Sequence, residues 1–176
     1  MIYDPKTFDA FTEFYVCGIY HMREINEIDK VRGLPQRPCQ VVGYGKADIL
    51  KREKKSKEVN SSPIILLAPS WGDHGILEIV GIRLISALLE SGYNVCLRPH
   101  PRYFKGEQEL LNQIGSCFRK QESFWIEDSR IISEVMNKAD VMISDYSGVA
   151  YEYCFTYNRP VLFVDVPLKQ LNPFFD

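Results

Sequence analysis

Arg98-Pro99-His100-Pro101-Arg102 places one imidazole between two prolines and two guanidinium groups. The prolines fix the backbone on either side of the histidine. Arginine meets phosphate oxygens with paired donors, and an imidazole N–H adds one more. A lone histidine is more often structural, but between prolines and arginines at a strand's end His100, with Arg98, reads as a ligand for a phosphate-bearing molecule. A second cluster, Ser144-Asp145-Tyr146-Ser147-Gly148, sits where an apolar run turns into a helical pattern. Ser147 reads either as a plain helix cap or as a phosphate ligand, and the amides of Gly148 and Val149 at a helix start suit a diphosphate. Glu152, one turn further on, is either an exposed helix acid or an acceptor for ribose hydroxyls. The third cluster, Ser70-Trp71-Gly72-Asp73-His74-Gly75, reads either as a merely structural turn or as one whose small residues let backbone approach a ligand and whose helix start offers unpaired N–H groups to an anion. His21 and His74 have weaker claims, and His21 lies in a helical segment where a surface or packing role is expected.

Composition narrows the chemistry. The 176 residues are 45% hydrophobic and 25% charged, with a formal net charge of −2, which is ordinary for a soluble globular chain and supplies no basic field for nucleic acid. Clustered acids for a divalent site and the D-x-D signature are absent, so no metal and no cofactor are expected. Cys17, Cys39, Cys96, Cys117 and Cys154 form no C-x-x-C pair and read as reduced thiols buried as small hydrophobes, Cys96 most clearly. The N-terminus lacks the basic head and apolar core of a signal peptide, and no apolar run reaches the roughly 18 residues of a membrane span. A cytoplasmic protein is expected. Residues 51–58, KREKKSKE, read as a solvated linker or helix tail; the alternative is a peripheral contact with the inner face of a membrane or with an anionic acceptor.

The elements that must position these clusters follow from hydrophobic period. Short apolar runs at 64–68, 93–97, 123–126, 141–144 and 161–164 predict buried strands. Helical spacing marks 76–89, closed by Ser91-Gly92, then 107–114, 129–138 with Ser129 as cap, and 148–157. Strand and helix alternate, so the fold expected is α/β, a doubly wound parallel sheet with helices on both faces. Such sheets bind ligands beyond the carboxyl ends of their strands, where the connection order reverses. The loops beginning at Pro69, Pro99 and Asp145 then share one rim. Residues 11–16, 21–31 and 41–44 read as strand, helix and strand of a different body. The expected organisation is 1–60 as the tail of an otherwise missing N-terminal domain plus linker, and 61–176 as a Rossmann-like domain cut short at its C-terminus.

Read in order, L-L-A-P-S-W-G (66–72), L-R-P-H-P (97–101), A-D-V-M-I-S-D-Y-S-G-V-A-Y-E-Y (139–153) and N-R-P-V-L-F-V-D (158–165) resemble the CDP-glycerol glycerophosphotransferase family over residues 63–166. F-D-A-F (8–11) and V-V-G-Y-G-K-A-D (41–48) resemble the end of that family's N-terminal domain more loosely. The resemblance implies a two-domain GT-B fold and a role in making teichoic-acid-type polymers. It implies transfer of glycerol phosphate, or a similar polyol phosphate, from a CDP-activated donor to a hydroxyl of a lipid-linked or glycan acceptor. His100 would contact the donor diphosphate as the catalytic residue, with Arg98, Ser70, Ser144, Ser147 and Gly148 beside it. Asp145 would organise the turn, and Glu152 would stand where the family often has aspartate. This chain has Gly72 for the arginine of P-T-W-R, Arg98-Pro99 before the H-P pair, and Gly148 for a second serine. The family's second histidine, held to be the base for the acceptor hydroxyl, has no counterpart in residues 1–60. Two alternatives stay open: a nucleotide-sugar glycosyltransferase or 2-epimerase-like enzyme on the same fold, and a non-catalytic nucleotide-binding fragment.

Overall fold

The computed structural model describes residues 5–56, 61–72, 74–106, 108–129 and 131–167. The chain divides into two compact units, one on residues up to Ile49 and one from Leu50 to Leu168. In the first, β1 (Phe14–Val16), α1 (Ile19–Val31) and β2 (Cys39–Val41) make one parallel βαβ turn, with Phe14 opposite Cys39 and Val16 opposite Val41. Such a small body has little apolar surface to bury: Ile25, Ile28 and Val16 are inside, while Tyr15, Tyr20 and Val31 are exposed. A buried ion pair fixes it instead. Asp29, 1% exposed, accepts from Arg37 Nε at 2.9 Å and from the Arg37 amide at 3.0 Å. Arg37 Nη1 donates to the carbonyls of Phe8 and Phe11 at 2.7 and 3.0 Å, and its guanidinium lies 4.7 Å from the Phe14 ring centre.

The second unit carries the five-stranded parallel sheet. After α2 (Gly45–Glu53), which enters it at Leu50, come β3 (Ile64–Leu67), α3 (Ile76–Glu90), β4 (Asn94–Leu97), α4 (Tyr103–Gly106) and α5 (Gln108–Phe118). Then follow β5 (Phe124–Ile126), α6 (Ile132–Lys138), β6 (Val141–Ser144), α7 (Gly148–Tyr157) and β7 (Val161–Phe163). Strand order is β5-β4-β3-β6-β7, so the winding reverses between β3 and β6. Alternate side chains of each strand feed opposite faces. Ile65, Leu67, Val95 and Leu97 pack with Ile76, Ile85, Leu111 and Ile114 of α3 and α5. Leu66, Cys96 and Met142 pack with Val135, Met136, Ala150 and Tyr153 of α6 and α7. Helices thus cover both faces, and the sheet is doubly wound, as the alternation predicts.

Boundaries differ in instructive ways. The helix expected over 107–114 runs to Phe118: Gly115 continues the helix, and a Cβ there would meet only Ile126 at 3.7 Å. The helix expected from Ser129 begins at Ile132, because Ser129 Oγ donates to Ile131 O and its amide donates to Glu127 Oε1. Ser129 therefore shapes a loop and caps nothing. The charged run at 51–58 is only partly a solvated linker. Lys51–Glu53 end α2, Lys54 Nζ donates to the Thr156 and Tyr157 carbonyls at the end of α7, and Asn137 bridges the Lys55 amide and the Glu53 carbonyl. The basic residue thus satisfies orphan helix carbonyls. Residues 57–60 lie outside the described residues. All five cysteines are free thiols, but only Cys96 is buried; Cys17, Cys117 and Cys154 face solvent. Burial pushes the Cys96 thiol up to about 12, so it stays protonated. No helix among the described residues is long and apolar enough to cross a membrane.

The Asp29 carboxyl is held below its ordinary range, first by the Arg37 hydrogen bonds and against the cost of burial. Its contribution is complete above the pKa of an unfolded carboxylate and is lost as pH falls through the depressed folded value. Arg37→Ala should destabilise the first unit by about 3 kcal/mol at neutral pH by stranding a buried charge. Urea unfolding of wild type and variant at neutral pH and near pH 3 checks this: the gap should narrow in acid.

Candidate functional site

Three loops leave the carboxyl ends of β3, β4 and β6, the three central strands of the sheet. The reversal between β3 and β6 opens a crevice there, because consecutive crossovers diverge to opposite faces. Asp145 closes its floor. This carboxylate, 1% exposed, accepts from the Ser70 amide at 2.7 Å through Oδ1 and from the Ile76 amide at 3.4 Å through Oδ2. One amide at the start of α3, a helix start read from sequence as an anion site, is therefore answered from within the protein. Ser144 is fully buried and its hydroxyl donates to Ala68 O at 2.6 Å, joining the ends of β6 and β3.

The β3–α3 turn takes its shape from glycine. Gly72 sits at φ 108°, which side chains with a Cβ adopt only under strain, so the arginine of the resembling motif would not fit this backbone. Gly75 donates to Gly72 O at 2.9 Å, and a Cβ on Gly75 would stand 2.7 Å from Glu78 Oε2. Trp71, half-buried, lies between two members of the basic cluster. Its ring is 6.2 Å from the His100 ring and 3.8 Å from the Arg102 guanidinium. That second contact is a cation–π pair. His74 is exposed at the same turn, His21 lies on α1 in the first unit, and Asp73 is outside the described residues.

His100 has a defined tautomer. Its Nδ1 accepts the Arg102 amide at 3.3 Å, so the neutral ring carries its proton on Nε2. Tyr103, fully buried, ties this loop to the β3–α3 turn. Its amide donates to His100 O at 3.0 Å, and its hydroxyl donates to Glu78 Oε1 at 2.5 Å with Ser70 O at 3.3 Å. Neither Tyr103 nor Glu78 was among the residues singled out from sequence. An acid in the first turn of a helix reads as dipole compensation, and a tyrosine three residues after a histidine carries no motif. Arg98 lies at the end of β4, its amide donating to Leu67 O at 2.9 Å. Burial lowers its pKa, and Glu127 at the end of β5 raises it in part. Arg98 Nη1, Ser70 Oγ and Glu78 Oε2 are buried with no hydrogen-bond partner among the described residues. Buried polar atoms are normally paired, and Thr156 Oγ1 and Tyr157 OH near the end of α7 share this state.

Ser147 occupies the N-cap position of α7 without a side-chain cap bond. The helix starts with Gly148, exposed, with open space where a Cβ would be. The serine hydroxyl and the first amides of α7 are left for an anion, which the helix dipole favours. Glu152 is half-buried one turn along the same helix. Side chains from three separate loops thus supply N–H and cationic donors at one edge of the sheet, an arrangement suited to an oxyanion.

Three substitutions test this architecture. Asp145→Asn would turn one acceptor into a donor facing an amide, and urea unfolding should show a loss of about 2 kcal/mol. Gly148→Ser should change stability by no more than about 0.5 kcal/mol, since nothing stands where the new side chain would go. Gly75→Ala should instead break the Glu78–Tyr103 bond and lower the melting temperature.

Comparison with known proteins places the arrangement in context. No curated protein sequence matches the chain. Among solved structures it is similar to the wall teichoic acid polymerase TagF, at 22% identity and a TM-score of 0.54, covering 90% of this chain and 40% of that one. A second structure of that polymerase, a His-to-Asn variant soaked with CDPG, matches at 21% identity and a TM-score of 0.53, covering 90% and 39%. The Methanocaldococcus jannaschii UDP-GlcNAc 2-epimerase in complex with UDP-GlcNAc and UDP matches at 18% identity and a TM-score of 0.48, covering 79% and 43%. The chain therefore spans about two-fifths of the length of the polymerase structures, whose likeness at this identity carries the fold. The sequence profile of one family, described as CDP-glycerol:poly(glycerophosphate) glycerophosphotransferase, matches residues 10–170. That match takes in the β1–β2 body and the whole doubly wound sheet, and the chain belongs to that family.

Proposed function

We propose that the chain is the donor-binding part of a transferase that moves glycerol phosphate from a CDP-activated donor to a hydroxyl of a poly(glycerophosphate) acceptor. Family membership supports the reaction class. The observation that carries the assignment to this rim is the start of α7, where Ser147 leaves its hydroxyl and the first amides uncommitted. They face the same edge of the sheet as His100 and Arg98. In this reading the acceptor oxygen bonds to the distal phosphorus of the donor, the bond from that phosphorus to the bridging oxygen breaks, and CMP leaves. The hydroxyl proton passes to a base outside the described rim.

Each group then has a task. His100 Nε2–H donates to the diphosphate, held in that tautomer by the Arg102 amide. Arg98 Nη1 adds positive charge beside it, and the start of α7 receives the remaining oxygens. These donors are set before the reaction, so charge growing on the phosphate oxygens costs no reorganisation. Asp145 and Ser144 act through the backbone, holding the β3 and β6 loops at their spacing. Glu152 is assigned to the nucleoside, as an acceptor for its hydroxyls. Trp71, with Arg102 over one side of its ring, holds the His100 loop in place.

Calorimetric titration with CDP tests the proposal. His100→Ala should weaken binding about tenfold, the equivalent of one charge-assisted hydrogen bond, while circular dichroism stays unchanged. CDP should outcompete UDP. Absence of heat with CDP, CMP and CDP-glycerol alike would overturn the reading.

A further inference from the structure

Away from the rim, a groove of about 440 Å³ runs along α5 and the β5 edge of the sheet. Gln108, Asn112, Ser116 and Arg119 line it. Their spacing of four, four and three residues sets them in one stripe on a helical surface. At 1.5 Å per residue that stripe is about 16 Å long. Phe104 and Ile126 supply hydrocarbon beside it. The lining carries one cation and no carboxylate. Two further exposed cations, Lys105 and Lys120, lie next in sequence to Phe104 and Arg119.

The direction of the groove follows from topology. β4 and β5 are parallel, so α5 must return from the carboxyl edge of the sheet to its amino edge. Gln108 therefore lies toward the rim and Arg119 away from it. The link to the rim is α4, whose first residue, Tyr103, donates its amide to His100 O. A chain lying along the stripe would thus have one end directed at the His100 loop.

The lining also limits what that chain can be. Amides and a hydroxyl at one-turn intervals suit a ligand with repeated hydroxyl or ester oxygens, the apolar side suits short carbon segments, and the cation suits phosphodiesters. We propose that this groove docks internal repeats of a glycerol phosphate polymer, the acceptor of the transfer, with its terminal hydroxyl toward the rim. The inference rests on the acceptor reading given above. It differs from that reading in naming a place on this chain and the residues that grip the polymer.

Amide NMR of the full chain with a synthetic glycerol phosphate tetramer tests it. Shifts are expected along 108–119 and at Ile126. Arg119→Glu and Asn112→Leu should each weaken tetramer binding about tenfold and leave CDP affinity unchanged. Raising salt should weaken the tetramer in wild type more than in Arg119→Glu. Shifts confined to another surface, variants that bind like wild type, or equal shifts with inorganic phosphate would overturn the proposal. CDP binding without a groove response sinks the groove alone. A groove response without CDP binding sinks the donor reading and leaves a polymer site.

Discussion

One buried carboxylate organises the edge of the sheet from which the β3, β4 and β6 loops leave. Asp145 leaves β6, enters the space beneath the β3–α3 turn, and takes the amides of Ser70 and Ile76. The first amides of a helix need acceptors, and so does any backbone N–H removed from water. Here a side chain from a different strand serves one helix amide, that of Ile76, and one turn amide, that of Ser70. The same contact occupies the Ile76 amide at the start of α3, while the Ser147 side chain makes no cap bond at the start of α7.

Around that contact the loops are cross-braced. Ser144 joins β6 to β3 at Ala68, and Tyr103 joins the His100 loop to Glu78 and the β3–α3 turn. Arg102 contributes at both levels, its amide setting the His100 tautomer and its guanidinium covering Trp71. Polar groups held by several partners lose little freedom when a ligand arrives, which is the physical content of a preorganised site. The sheet beneath is apolar on both faces and closed by helices, so the polar residues of this unit concentrate at its edges.

The fold was legible because doubly wound sheets leave a strong periodic trace. Runs such as Ile64–Leu67 and Val141–Ser144 are too short for typical helices and too apolar for surface strands. Boundaries were less legible where a side chain competed with a helix cap. Ser129 has the right chemistry to start α6, yet it bonds into its own loop and the helix waits until Ile132. The helix expected over 107–114 runs on through Gly115, an ordinary helical position, to Phe118. Lys54 looked like part of a solvated run and instead caps α7 from more than a hundred residues away in sequence. No local pattern could have announced that contact.

Of the site, sequence by itself determined which residue types are present and that they follow strands, because hydrophobic period and loop chemistry are local properties. It also determined that the His100 and Ser147 loops leave the sheet on the same side, since parallel strands put all their carboxyl ends on one edge. Tertiary structure decided which polar groups are spent and which remain. Ser144 and Asp145 are committed to backbone, while Ser70 Oγ, Arg98 Nη1 and the start of α7 are not. That division depends on distances between residues some seventy positions apart, which no one-dimensional pattern encodes.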